Sequence, residues 1–179
     1  MFTVALHRPS DPVTRSLVMA VAIVRVLDTH LGLYAQVKWP NDVLVGGRKI
    51  CGILADHEDD WLYLGVGLNL RQTLFPPELA SGATSVAIET GAARELPERD
   101  LLLAAVLERY RECEPAWHAT LSERLWKKGE HVDVAIPFGP VLSGRLAGVA
   151  QDGCLLIDTG DIHRLVAGEV SLGRDEHSR

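Results

Sequence analysis

The first seven residues, MFTVALH, set Phe2, Val4 and Leu6 against Thr3 and Ala5, the two-residue period of a half-buried strand. Asp11 and Pro12 then read as a helix start, an N-cap acid followed by proline at the first helical position. Leu17, Val18, Ala20, Val21, Ile23, Val24 and Leu27 extend the predicted helix to about Leu31, with Gly32 as its stop. This helix is apolar on most of its surface, so it is expected to lie against a sheet. Residues 36–38 predict a short strand ended by Pro40. Residues 43–45 and 50–55 predict two more, joined by Gly46-Gly47-Arg48, a hairpin signal. Residues 61–66 predict the next strand. Strands that follow one another so closely pair locally, which points to an antiparallel sheet rather than repeating βαβ units.

Periodicity then fades. Residues 71–94, rich in Pro, Gly, Ser and Thr, are expected to be loop with a short helix near 77–81. Residues 97–117 predict a helix with Leu103, Leu107 and Tyr110 on one face, and a shorter helix over 121–127 is expected to stop at Gly129. Beyond it the runs HVDVAI, VLSGRLAGV, CLLIDT, HRLVA and EVSL are short and separated by turn residues. That pattern predicts a small β-barrel of roughly 45 residues. The expected organisation is one α+β domain over 1–128, a mostly antiparallel mixed sheet with helices, and a second β domain over 129–179.

Composition narrows the function classes. The formal charge is −6, which disfavours the basic footprint of nonspecific nucleic-acid binding and favours a small-molecule ligand or a protein partner. The three cysteines, Cys51, Cys113 and Cys154, are odd in number and far apart, with no CxxC pair, so neither a disulfide framework nor a structural zinc site is expected. The longest apolar run, 16–24, is too short to span a bilayer. MFTVALHR lacks the form of a signal peptide, and a reducing, cytoplasmic setting is expected.

Three segments carry candidate chemistry. In KWPND, Pro40 stiffens the exit of a strand and Asn41-Asp42 favour a turn that could aim Lys38 and Asp42 into a cleft. An ordinary turn with a surface Lys–Asp pair is the plainer reading of the spacing alone. In GGRKICGILAD, strand parity puts Lys49, Cys51 and Ile53 on one face and Ile50, Gly52 and Leu54 on the other. Gly52 removes a side chain where a ligand or backbone could come close; an exposed lysine beside a hairpin and a bulge glycine is the plain alternative. GVGLNL, at 65–70, ends a strand with two glycines and an asparagine. It lacks the third glycine of a dinucleotide fingerprint, so close backbone approach to a ligand and a simple strand exit both remain open.

Taken in order, WPND, then KxxGIL, then GxGxN, then a terminal barrel closing in GEVSL, the chain resembles the biotin protein ligases, or biotin–[acetyl-CoA-carboxylase] ligases, over nearly its whole length. The resemblance implies a class II synthetase-like biotin/lipoate ligase catalytic domain followed by an SH3-like barrel. It implies activation of biotin by ATP and Mg2+ to biotinyl-5′-AMP, then transfer to a lysine of a biotin carboxyl carrier domain of acetyl-CoA carboxylase. Lys49 matches the lysine that bridges biotin carboxylate and α-phosphate, the one catalytic position. Gly52, Leu54, Gly65, Val66 and Gly67 match biotin-pocket positions. Lys38, Trp39, Asn41, Asp42 and Asn69 match the ATP or adenylate side. No side-chain metal site is implied.

Two departures accompany the resemblance. An arginine that follows the GEISL-like strand in some members corresponds here to Gly173, with Arg174 next. The arginine-rich GRGRxGR-W segment, which the family carries before the strand matching MFTVALH, is not among these residues, nor is a DNA-binding helix-turn-helix. The expectation is therefore a catalytic domain lacking its N-terminal part, with a sheet edge left unpaired, possible homodimerisation through that edge, and no DNA partner. A noncatalytic module that binds biotinyl-adenylate and carrier protein is the alternative, and a lipoate-type ligase a more distant one.

Overall fold

The computed structural model describes residues 1–9, 12–91 and 95–172. Strands β1 (Phe2–His7), β2 (Ala35–Lys38), β3 (Asp42–Val45), β4 (Arg48–Glu58) and β5 (Trp61–Leu68) form one sheet in the order β1-β5-β4-β3-β2, with every strand pair antiparallel. Helix α1 (Pro12–Leu31) lies across it. Its expected N-cap, Asp11, falls outside the described residues. The helix is apolar nearly all round because it is enclosed: the sheet covers one side, and α4 (Arg99–Cys113) and α5 (Trp117–Arg124) cover the others. Leu17 to Val24, Val26 and Leu27 are all at most 1% exposed. Gly32 ends α1 with φ +68°, the left-handed conformation that glycine adopts without a Cβ penalty.

The segment after β5 holds α2 (Pro77–Ala80), as expected, and a second short helix, α3 (Val86–Thr90), that periodicity did not reveal. The predicted single helix over 97–117 is two. Pro115 has no N–H for the carbonyl of Arg111, so α4 stops at Cys113 and α5 begins at Trp117, earlier than the expected 121. The core stripe of α4 is Leu102, Val106, Tyr110 and Cys113, while Leu103 and Leu107 are only half-buried. Leucines occupy both stripes, and contact with α1 selects between them.

A second antiparallel sheet comprises β6 (His131–Ala135), β7 (Val141–Val149), β8 (Leu155–Asp158), β9 (Ile162–Leu165) and β10 (Glu169–Leu172), in the order β10-β6-β7-β8-β9. Its buried row, Val132, Val134, Leu146, Leu155, Ile157 and Val170, joins the same hydrophobic cluster as α1. The two sheets are tied near Trp39. The Trp39 indole N–H donates to the buried Gly153 carbonyl at 2.9 Å, and Trp126 N–H donates to the Val37 carbonyl at 2.9 Å. Among the described residues no helix is long and apolar enough to cross a membrane. The expected position of Arg174 lies outside the described residues.

Candidate active site

The open face of the first sheet is the face turned away from α1. Directly opposed residues of an antiparallel pair project to the same side. The register therefore sets Asp42, Gly52 and Gly67 in one row across β3, β4 and β5. Leu54, Gly65 and Thr3 form the adjacent row across β4, β5 and β1. Cys51, Ile53, Leu64 and Val66 point the other way and are buried. The result is a strip of bare backbone at Gly52, Gly65 and Gly67, beside a Leu54 side chain that is 69% exposed. None of these three glycines has a left-handed φ. The chain conformation does not demand glycine there, so the missing side chains have a steric use.

Lys49 reaches this face through a break in strand regularity. Val43 pairs with Cys51 and Leu44 with Lys49, so β4 carries one extra residue, Ile50, opposite β3. This β-bulge places Ile50 and Cys51, neighbours in sequence, both in the core at 0% and 1% exposure. It also reverses the simple parity expectation. Lys49 lies on the side of Gly52, not on that of Cys51 and Ile53. The lysine chain runs over Gly52: a Cβ there would sit 3.0 Å from Lys49 Cε and 3.1 Å from Nζ. Gly52 thus makes room for the lysine itself. The ammonium ends 2.7 Å from Asp42 Oδ1, with the lysine side chain 48% exposed and the carboxylate 18% exposed.

The hairpin between β3 and β4 fixes where this lysine starts. Gly46 and Gly47 have φ +56° and +77°, the pair of positive values that a two-residue turn of the I′ kind requires. Asn41 fixes the other end of β3. Its Nδ2 donates to the Ile53 carbonyl at 2.9 Å, and its own carbonyl accepts from Ile53 N–H at 2.9 Å. Asn69 does the same for the end of β5, donating through Nδ2 to the Thr84 carbonyl at 3.0 Å.

Other residues singled out in the sequence are placed differently. Val66 is 0% exposed on the α1 side, so only its backbone borders the open face. Trp39 is 3% exposed and its N–H is engaged by Gly153, which makes it a tie between the sheets. Lys38 pairs with Asp42 in the ladder, but its ammonium turns towards the second sheet, 3.6 Å from Glu169 Oε1 and 5.8 Å from the Trp126 ring centroid. The structure therefore assembles Lys49, Asp42, Gly52, Leu54, Gly65 and Gly67 on one face, with Asn41 and Asn69 as braces at its edges. Missed from the sequence were the bulge and Glu89, which accepts from Thr84 and from Arg48.

Two concavities flank the region. One of about 240 Å³ is lined by Asn41, Leu54, Trp39, Ser16, Gly153 and Val166, next to the open face. A larger one of about 550 Å³ lies between the start of β1, the end of β5 and α4. Its wall takes in Leu68 and Leu70 of the GVGLNL segment but none of the residues matched to a site, and Lys49 is not part of it.

Cys51 lies directly beneath Gly52. Burial pushes its thiol up from an ordinary 9.0 to about 12, and the Asp42 charge adds to this. A neutral thiol in the core is not a nucleophile. Because the folded pKa is the higher one, its contribution to stability is complete below about 9 and is lost as pH rises towards 12. Urea midpoints are expected to fall through that window in the native chain, and less steeply in Cys51→Ala.

The chain is similar to known proteins in sequence and in fold. Residues 5–69 match the biotin/lipoate A/B protein ligase family. The chain is 29% identical to the bifunctional ligase/repressor BirA of Bacillus subtilis, over 93% of its own length and 56% of the relative's. It is 34% identical to the biotin–[acetyl-CoA-carboxylase] ligase of Mycobacterium tuberculosis, over 69% of its own length and 47% of the relative's. The chain thus spans about half the length of these curated relatives. The structure of an Aquifex aeolicus biotin protein ligase in complex with biotin and ATP superposes with a TM-score of 0.84 at 26% identity, covering 97% of this chain and 78% of that one. The apo form of the Aquifex aeolicus protein gives 0.85 at 25% identity, covering 97% and 81%. By sequence over residues 5–69 and by fold over nearly its whole length, the chain is similar to the biotin protein ligases of the biotin/lipoate A/B protein ligase family.

Proposed function

We propose that this chain carries the adenylation site of a biotin protein ligase, activating biotin with ATP to biotinyl-5′-AMP and passing the biotinyl group to a lysine of a biotin carboxyl carrier domain. The observation that carries the reading is Lys49 lying over Gly52, with the bare backbone of Gly67 in the same row and of Gly65 in the next. A flat, mostly apolar ring with one carboxylate needs such a surface: backbone to lie on, a leucine to cover it, and a cation at one end.

In the first step the biotin carboxylate oxygen attacks the α-phosphorus and pyrophosphate leaves. Both reactants are anionic, and a positive side chain between them offsets their repulsion and the charge that builds on the α-phosphate. In this structure Lys49 is held by Asp42 through a half-exposed pair. Such pairs contribute only about 0–1 kcal/mol, so the ammonium can exchange one anionic partner for another at small cost. In the second step the carrier lysine amine attacks the acyl carbon and AMP leaves. Leu54 would border the biotin ring system, and Asn41, Asp42 and Asn69 the adenylate side. The second sheet, in this reading, is the family's SH3-like terminal domain, and Lys38, pointing towards it, belongs to the junction.

Magnesium enters with ATP as the Mg–ATP substrate. Among the described residues no group of three or more His, Cys, Asp or Glu could hold a metal ion, and the Asp42 carboxylate is already bonded to Lys49.

Biotin-dependent exchange of labelled pyrophosphate into ATP tests the reading. Exchange above a no-biotin control is expected. Its absence, with biotinyl-adenylate still bound tightly by calorimetry, would replace the ligase reading with that of a binding module.

A further inference from the structure

The backbone around Lys49 is held in an unusual way. On the β3 side the ladder is interrupted by the Ile50 bulge. On the other side β5 ends at the level of Cys51, where Leu68 pairs with it. The gap is filled by a loop. Lys49 N–H donates to the Gly82 carbonyl at 2.8 Å, and Thr84 N–H donates to the Lys49 carbonyl at 2.9 Å, a one-residue parallel bridge centred on Ala83. Neighbouring bonds hold the same corner: Asn69 N–H donates to the Ile50 carbonyl at 2.8 Å, and Asn69 Nδ2 to the Thr84 carbonyl.

One carboxylate ties this corner together. Glu89, on α3, has a side chain only 15% exposed. Its Oε1 accepts from the Thr84 hydroxyl at 2.5 Å and from Arg48 Nη2 at 2.7 Å. Thr84, whose N–H bonds the Lys49 carbonyl, is 0% exposed; Arg48 is the covalent neighbour of Lys49. The helix that presents Glu89 is anchored in turn. Ser85, also 0% exposed, caps it by accepting from Ile88 N–H at 3.2 Å and donates its hydroxyl to the Gln72 carbonyl. The side-chain partner of the Lys49 ammonium among the described residues, Asp42, lies on β3, so the backbone of Lys49 and its charged tip are held from opposite sides.

We infer that Glu89 is a positioning residue for Lys49, holding the lysine backbone through Thr84 and Arg48 so that its ammonium projects over Gly52. This inference rests on the ligase reading for its kinetic consequence, and on geometry alone for its structural one. A lysine that serves mainly the transition state should lose kcat rather than substrate binding when misplaced. A shift of about 1 Å at a reacting group can cost about 100-fold.

The test uses Glu89→Ala, Glu89→Gln and Thr84→Val in the full chain, with two readouts. In pyrophosphate exchange, Glu89→Ala and Thr84→Val are expected to lower kcat about 10- to 100-fold with less than about threefold change in the KM of biotin and ATP. Glu89→Gln, which keeps an acceptor oxygen for both donors, is expected to recover most of that loss. In the ligand-free protein, acetylation of Lys49 by dilute acetic anhydride, followed by peptide mass spectrometry, should be faster in Glu89→Ala and Thr84→Val than in the native chain and near native in Glu89→Gln. Native kcat and native labelling in Glu89→Ala would overturn the inference. So would equal losses in the alanine and glutamine variants that follow the folded fraction measured by circular dichroism. If the native chain shows no exchange, the ligase reading fails, and the labelling series still decides the role of Glu89.

Discussion

Lys49→Ala should abolish most biotin-dependent pyrophosphate exchange while leaving the fold almost untouched. The expected loss is about 100- to 1,000-fold in kcat, the range seen when a single donor to developing charge is removed. The stability change should stay within about 1 kcal/mol, because the lysine side chain is 48% exposed and its pair with Asp42 is correspondingly weak. The substitution does more than delete a cation. It leaves the Asp42 carboxylate, 18% exposed, without the ammonium that now sits 2.7 Å away, facing the ground where two further anions must meet. Part of the defect should therefore be repulsion from Asp42. Adding Asp42→Asn to Lys49→Ala is expected to recover a measurable fraction of activity, whereas the two single losses would multiply if the residues acted independently. Lys49→Arg should not restore the rate. A planar guanidinium is wider than an ammonium, and the lysine chain already lies within 3.0–3.1 Å of the space that a Cβ on Gly52 would occupy.

The sequence made parts of this site readable and hid others for identifiable reasons. The β3–β4 hairpin was legible because Gly46-Gly47 is one of the few pairs that accept positive φ at both turn positions. Gly32 marked the end of α1 for a similar local reason. The strand character around Lys49 was legible, but the face on which the lysine lies was not. Parity assumes one residue for each step of the ladder, and the extra residue Ile50 inverts it. Gly52 hints at a bulge, but nothing in KICG puts it at Ile50 except Ile50 and Cys51 in succession, which a fully buried strand would also show. Trp39 was read as part of a ligand site because it sits in KWPND. Its partner, the Gly153 carbonyl, is 114 residues away, and no local pattern points to a bond of that span. Helix α3 is five residues long, too short for a helical period to register, so Glu89 remained hidden in what reads as loop. The available signal was Ser85 ahead of three apolar residues and an acid, a helix-start pattern one residue out of step with a capping box.

The braces and the open face also differ in what they ask of sequence. Asn41 and Asn69 look like ligand contacts when read in a motif. In the fold each spends its amide N–H on a backbone carbonyl, of Ile53 and of Thr84. Their effect on a ligand then comes through the geometry they impose on β4 and on the loop at 82–84. In the proposed reaction Lys49 and the glycines would act directly. That division separates residues whose loss should appear in stability and rate together from those whose loss should appear in ligand handling alone.

Gly67 provides the sharpest case of the second kind. Gly67→Ala is expected to leave the protein at least as stable as the native chain and to weaken biotin binding, and Gly67→Val to weaken it by at least about 100-fold, two orders of magnitude being about 2.7 kcal/mol of lost affinity. A Cβ at Gly67 would meet only the Gly52 carbonyl oxygen, at 3.8 Å, an ordinary van der Waals separation, and the backbone φ there is not left-handed. Glycine inside a strand costs roughly 0.5–1 kcal/mol relative to alanine through its extra freedom in the unfolded chain. The substitution thus removes a penalty and introduces no clash within the protein. It does place a methyl group on the open face in the row of Asp42 and Gly52, the surface on which the ligand ring and linker are proposed to lie. Gly65→Ala, in the adjacent row and 3.7–3.8 Å from Leu54 atoms, should behave in the same direction. Thermal denaturation and isothermal titration with biotin, run on the same preparations, separate the outcomes. Raised or unchanged melting temperature with lost binding is the signature of a ligand face. Unchanged binding in Gly67→Val, in a chain that remains folded, would remove the glycine strip from the site and with it the orientation assigned to biotin over Lys49.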